Sequence, residues 1–408
     1  MTQRMTAGQG TALLVGAVLG PGMLVLPHLA ADAAGPASVL AWAGLLALSV
    51  PVALTFAALG ARHPDGGGVA SFVGLAFGRR ASAVAGWWFF GAVPIGTVAG
   101  AFVGGQYVEA CLGVDGTLAA WLIMIAAFAA NAAGLRTSGR LQIAFVVLLV
   151  ALLAAAVISA APHADLANFT PFAPYGLGGV AAAAGVLMFA FVGWEAASHL
   201  SAEFADRRNG LVRATVVTLA VIAVLYVGVS VTSVGVLGAD MTGVPLTAML
   251  EIGLGGAARP VTGVVAVLLT FGAVNTYIAG AARLGAALAR DGALPGWFAV
   301  GGEPGRVPYR SLGLLAVLCL PVLVWAVDLD LLMRATSACL AAVTAAGVVA
   351  AVRMLPAGRH RNTAVVGAVM SVASLAFCGV YLVLPVVLAL VATAVRPVGA
   401  RRPLKKGI

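Results

Sequence analysis

Long apolar stretches alternate with short polar connections along this chain, from residue 10 to residue 396. A run of about 20 apolar residues is the length at which a helix crosses the hydrocarbon core of a bilayer. Backbone inside lipid must satisfy its own hydrogen bonds, so each run predicts a helix. Twelve segments are expected: 10–33, 37–61, 82–110, 117–134, 139–161, 178–204, 211–237, 258–289, 309–327, 331–353, 363–378 and 380–396, the last two meeting near Gly379. Residues 69–80 are too short and glycine-rich to span and predict an interfacial helix. Residues 162–177, with Pro162, Pro171 and Pro174, predict an extended loop, and residues 239–257 a longer, partly helical lid.

Composition sharpens this picture. Of 408 residues, 62% are apolar and 9% charged, against about a quarter charged in a soluble domain. That excludes a soluble enzyme, a disordered protein and a disulfide scaffold, and leaves an all-α polytopic membrane protein. Residues 1–396 read as one transmembrane domain and 397–408 as a basic cytoplasmic tail. The 10–33 run is longer than a signal-peptide core and is read as a retained first span. Cys111, Cys319, Cys339 and Cys378 have no metal-binding spacing and read as small core residues.

The net charge of +9 does not imply nucleic acid, because the basic residues fall in small groups between apolar runs. With the N-terminus inside, all but Arg259, Arg334 and Arg283 of the 23 Lys and Arg residues collect on the inner side. Asp32, Asp115, Asp165, Asp240, Glu251, Asp328 and Asp330 fall outside. This bias predicts both termini in the cytoplasm of a cell-membrane protein. Trp87 and Trp88 read as interface anchors, and Arg283 as snorkelling or pairing with Glu203 or Asp206 at an inner gate. Thr336 and Ser337 read as intrahelical hydroxyl bonders. His28 and His199 read as hydrogen-bonding rather than proton-carrying residues, and Asp65 with Gly66, Gly67 and Gly68 as a loop.

Two interruptions carry candidate chemistry. Gly20-Pro21-Gly22 breaks the first span, since proline removes a donor and glycine disfavours helix. Phe189-Ala190-Phe191-Val192-Gly193-Trp194-Glu195 interrupts the sixth. A carboxylate at mid-membrane costs roughly 2.5–3.5 kcal/mol on insertion scales, so Glu195 marks an ion or substrate path. Spans 1–5 start inside and spans 6–10 outside, giving inverted units of about 10–161 and 178–353 followed by extra helices over 363–396. Paired breaks in inverted halves point to a transporter's central site. Half-helix N-termini at Met23 and Glu195 would suit a carboxylate and opposing carbonyl ends an ammonium, as an α-amino acid requires.

The residues Gly20-Pro21-Gly22-Met23-Leu24-Val25-Leu26-Pro27 resemble the span-1 signature of the amino acid–polyamine–organocation superfamily. Phe191-Val192-Gly193-Trp194-Glu195-Ala196 resembles its span-6 signature, and Arg62-His63-Pro64-Asp65-Gly66-Gly67-Gly68 its loop after span 2. Residues 63–80, 191–204 and 275–284 are similar to the bacterial exporters of methionine and branched-chain amino acids. The resemblance implies a LeuT-type five-plus-five inverted repeat with broken helices 1 and 6, two extra helices, and alternating access by a proton-linked or exchange mechanism. It implies that Gly20, Pro21 and Gly22 meet the substrate carboxylate and that Phe191, Val192 and Gly193 offer carbonyls to the amine. Phe189 would stand at an aromatic gate, Glu195 would couple protons, and Asn275 would line the site. Two departures stand out. Pro21 replaces a small polar residue, and spans 5 and 8 lack a sodium-ligand set.

The expected function is secondary transport of small neutral, apolar amino acids by an exporter or exchanger, with Met23, Phe189 and Trp194 suiting an aliphatic or thioether side chain. The alternatives are a proton-coupled importer and an amine transporter. No cofactor, metal or nucleic acid is expected, and oligomeric state is left open. An intramembrane enzyme would need paired catalytic groups at one depth, and a channel a ring of like groups.

Overall fold

The computed structural model of the chain describes residues 6–63, 68–134, 139–191, 193–195, 197, 204, 209–303, 306–325 and 328–394. Val192, His199, Glu203, Asp206, the loop residues 64–67 and the tail 397–408 lie outside them.

The described chain is all-helical. Its helices are α1 (Ala7–Val18), α2 (Leu26–Ala34), α3 (Ser38–Arg62), α4 (Gly68–Phe77), α5 (Arg79–Leu112), α6 (Gly116–Ala132), α7 (Gly139–Ala160) and α8 (Gly176–Leu187). They continue with α9 (Asn209–Leu237), α10 (Pro245–Leu254), α11 (Ala258–Arg290), α12 (Tyr309–Val324), α13 (Leu329–Met354), α14 (Arg359–Ser374) and α15 (Val383–Ala394). Among the described residues, seven helical stretches are long and apolar enough to cross a bilayer, and several shorter helices are also apolar. Exposed valines and leucines line α14 and α15, including Val365, Val369, Val386 and Leu390. Such a surface would aggregate in water and is at home against lipid. The chain is an integral membrane protein.

Each expected segment contains helix among the described residues, with residues 198–203 of the sixth lying outside them, and the differences have local causes. The interfacial helix ends at Phe77 rather than residue 80, because Gly78 turns the chain at φ 91°. Arg79 and Arg80 therefore open α5, which starts three residues before the expected span. The backbone breaks again at Gly379, φ 51°, between α14 and α15. The expected lid contains α10, started by Pro245 and fastened by Leu246 and Met249, both fully buried. Trp87 and Trp88 are not simple interface anchors. Their indole N–H groups donate to the carbonyls of Ala293 (2.9 Å) and Pro385 (2.7 Å), tying α5 to the end of α11 and to α15.

At the centre, α5 packs most extensively on α11 and α13, and closely on α6. Gly105 on α5 faces the carbonyl of Gly116 so closely that a methyl group there would overlap it. Small residues permit this close backbone approach, which stands in for the hydrophobic drive that lipid does not supply between helices. One end of the bundle is basic. There Arg79 donates to Asp291 O (3.2 Å), Arg353 to Ala76 O (3.2 Å) and Arg290 to Gly302 O (2.7 Å). At the opposite end Arg259 pairs with Glu251 (3.6 Å) and donates to Ala110 O (2.7 Å), linking the lid region to α5. Arg334 stays within the bundle, bonded to Asp330 (2.6 Å) and to Ala182 O (2.7 Å).

Candidate substrate-binding site

The first break is longer than the glycine–proline triplet. Regular helix stops at Val18, a single 3-10 turn covers Pro21–Leu24, and α-helix resumes only at Leu26. The half-helix therefore begins three residues beyond the expected Met23. Proline and glycine account for the interruption, but the chain remains buried, so its freed carbonyls need donors. Two tyrosines supply them. Tyr107 on α5 donates to Leu24 O at 2.7 Å. Tyr226 on α9 reaches Val18 O at 3.2 Å and, in the second break, Ala190 O at 3.0 Å.

The second break follows α8. A 3-10 turn over Met188–Phe191 leads to Gly193, whose φ of 117° is favoured only for glycine. A methyl group at Gly193 would overlap the carbonyl oxygen of Ala17, so the two breaks are pressed together there. The Gly193 N–H donates to Glu195 Oε2 at 3.0 Å, folding this buried carboxyl back onto the break. Phe189 packs its ring over Gly22, a second contact between the two interruptions.

A cavity of about 290 Å³ lies between the breaks. Gly20, Pro21, Gly193 and Glu195 line it, with Phe89, Phe145, Leu149, Leu269 and Leu340 as apolar walls. Gln142, Thr276 and Tyr277 add polar groups. Among the described lining residues Glu195 is the one acid and there is no Lys or Arg. A second cavity of about 360 Å³ shares Gln142 and Thr276 with the first and extends to Arg283 and Arg306 at the basic end.

The other candidate residues sit elsewhere. Met23 is almost wholly buried beside the first break. Phe191 stacks edge-on against Tyr226 and tilts toward Trp42, facing α3 and α9 rather than the cavity. Trp194 is buried toward a small space bounded by Ser49, Thr344 and Ser371. Asn275 lines the second cavity, where Asn131 donates to its side-chain oxygen at 2.7 Å and its backbone oxygen at 3.1 Å. Arg283 lines that cavity too. Thr336 bonds within its helix as expected, but Ser337 donates to Val186 O on α8 (3.3 Å) and so joins α13 to the approach of the second break.

A family model described as amino acid permease matches residues 9–406. The chain belongs to the amino acid permease family. It is 32% identical over 356 residues to the uncharacterized amino acid permease YecA of Bacillus subtilis, covering 85% of this chain and 84% of that protein. It is 31% identical over 399 residues to the L-methionine/branched-chain amino acid exporter YjeH of Escherichia coli, covering 93% and 92%. It is 27% identical over 323 residues to the branched-chain amino acid permease BcaP of Bacillus subtilis, covering 73% and 70%. Membership in this permease family makes the chain a transporter and not an enzyme.

Sequence reasoning missed Tyr107, Tyr226, Gln142 and Asn131. Tyr226 and Asn131 are isolated polar residues in apolar helices, while Tyr107 lies between Gln106 and Glu109 and Gln142 two residues after Arg140, and no spacing marked any of them.

Proposed function

We propose that this permease is a secondary transporter of small neutral, apolar amino acids in the cytoplasmic membrane, working as an exporter or proton-linked exchanger. The observation that carries this reading is the cavity of about 290 Å³ bounded by both helix breaks. Its volume is near the lower end of the roughly 300–1,000 Å³ of small-molecule sites. Its apolar walls suit an aliphatic or thioether side chain, and its lack of lining Lys and Arg and single acid suit a zwitterion over a dication. Gly20, Pro21, Gly22 and Met23 then belong to the carboxylate side. The backbone carbonyls of Phe191, Val192 and Gly193 serve the amine side, with the Phe191 and Trp194 side chains packed behind the break, Phe189 stands between the breaks, Asn275 guards the approach, and Glu195 couples protons. The name of the exporter relative supports efflux, and that of BcaP supports branched-chain substrates.

The same reading includes twelve spans in a five-plus-five inverted repeat over about 10–161 and 178–353, with two more helices over 363–396 and cytoplasmic termini. The prominent α5–α11 packing supports it, because these helices are the third and eighth expected spans and correspond under the repeat.

Counterflow in proteoliposomes tests the reading. Vesicles loaded with unlabelled leucine and methionine should accumulate labelled leucine, competed only by apolar amino acids. No accumulation with any amino acid removes the substrate assignment. Glu195→Gln should abolish pH-driven transport while leaving exchange partly intact, and wild-type pH dependence in that variant refutes the coupling role.

A further inference from the structure

The largest of the described cavities is not the one between the breaks. About 750 Å³ opens at the basic end, between α4, the start of α5, the end of α11 and the end of α15. Its deeper walls are apolar, with Leu284, Leu288 and Ala392. Leu75, 62% exposed on α4, stands at its edge. Arg79 and Arg80 line the same cavity, and both are exposed. Arg79 donates to the backbone oxygen of Asp291, which orients one guanidinium nitrogen and leaves its charge uncompensated by that contact. Neither arginine is paired with a carboxylate among the described residues, where the ion pairs are Arg259–Glu251 and Arg334–Asp330. Among the described lining residues Asp291 is the one acid, so their charged side chains sum to a positive value.

The walls are braced. Ser82 donates to Ala70 O (2.8 Å), joining α5 to α4, and Trp87 holds Ala293 O (2.9 Å) at the end of α11. A braced cavity with arginines at one face and aliphatic walls at another has the polarity of a phospholipid, phosphate outward and acyl chain inward. Basic pockets between membrane helices select anionic headgroups in this way. Arginine's planar fork suits phosphate oxygens.

We infer that this cavity is a binding site for an anionic phospholipid, with Arg79 and Arg80 holding the headgroup phosphate and α4, α11 and α15 flanking an acyl chain. The inference rests on the membrane reading and is independent of the transported substrate.

Native mass spectrometry of the detergent-solubilised full chain tests it, with phosphatidylglycerol and phosphatidylcholine of identical acyl chains as competing probes. Wild type should retain one phosphatidylglycerol with a preference of at least about tenfold. R79Q/R80Q should bring that preference to parity. R359Q/R361Q, which removes two charges on α14 that do not line the cavity, should keep it. R80Q alone should lower the preference and keeps the test usable if the double variant misfolds, because the Arg80 side chain makes no hydrogen bond or ion pair among the described residues. Inorganic phosphate at equal concentration should not displace the lipid. Equal retention of both lipids by wild type, equal loss in the R359Q/R361Q control, or displacement by phosphate would overturn the assignment. Leucine counterflow in the same preparations separates failure of this site from failure of the transport reading.

Discussion

Replacing Tyr226 by Phe removes one oxygen from the place where the two helix breaks meet. The ring is fully buried on α9, edge-on to Trp42 at 5.0 Å and to Phe191 at 5.4 Å, and phenylalanine retains both contacts. The lost hydroxyl carries a single proton shared between Val18 O and Ala190 O. Val18 O keeps a second donor, the Gly20 N–H at 2.9 Å, so the larger loss falls on Ala190 O. A buried acceptor left without its donor costs about 1–3 kcal/mol. Interhelical hydrogen bonds in membranes average only about 0.6 kcal/mol and reach about 1.7. The membrane figure governs the interhelical part and the burial of Ala190 O raises it, so Tyr226→Phe should lose about 1–2 kcal/mol. A loss of that size, applied to the arrangement in which both bonds form, changes its population by roughly five- to thirtyfold. The assay pairs the thermal midpoint of the purified protein with the apparent affinity for leucine in counterflow. Both should fall. Tyr381→Phe is the control, since its hydroxyl makes no hydrogen bond among the described residues, and it should change neither. A Tyr226→Phe protein with wild-type midpoint and wild-type exchange would refute the argument that this hydroxyl holds the breaks together.

Gly193→Ala meets both an unfavourable φ and the Ala17 carbonyl. Strain alone should cost about 1–3 kcal/mol, read as a lower melting temperature in fluorescence-detected gel filtration and as lost counterflow. Asn131→Ala removes a donor to Asn275 and should slow leucine exchange severalfold with little change in expression, consistent with about 0.6–1.7 kcal/mol for such bonds; unchanged exchange would separate this pair from the path. Arg283→Gln removes one of the two cations in the approach cavity. It should weaken apparent affinity for a carboxylate substrate from the basic end at low ionic strength and matter little at high salt, which initial rates across a salt series would check.

The helices were legible because lipid leaves the sequence little freedom. An apolar run of sufficient length with no internal breaker predicts a helix, and the breakers at Gly20-Pro21-Gly22 and Gly193 mark the interruptions that the structure contains. Boundaries were less legible where one glycine decides them. Gly78 ends α4 early, and only the Arg79-Arg80 pair that follows it sets it apart from Gly74, which lies between Val73 and Leu75 and stays within the helix. Site geometry was least legible. Phe191 and Trp194 share the interrupted segment with Glu195, yet in a non-helical stretch sequence spacing no longer fixes side-chain direction, and both turn away from the cavity. Gln142 and Asn131 belong to helices whose pattern is almost uniformly apolar, so no period revealed which face they occupy.

The tyrosines show what sets these interruptions apart from kinks. At an ordinary kink the helix stays continuous, as α3 does through Pro51, and nearby hydroxyls bond within that helix, as Thr55 does to Pro51 O at 2.6 Å. At the two breaks the donors come instead from other helices, Tyr107 from α5 and Tyr226 from α9. Each donor ties one side of an opened backbone to the bundle. Gly20, Pro21, Gly193 and Glu195 are left to form the wall of the cavity on the other side. One hydroxyl serves both breaks, and Gly193 is pressed against Ala17. The two breaks therefore constrain one another, and movement of either displaces the group that satisfies the other. An arrangement that merely bent two helices would require neither the shared hydroxyl nor the close glycine contact. The shared hydroxyl and the glycine contact are what the proposed site between the breaks needs, since each couples one discontinuity to the other.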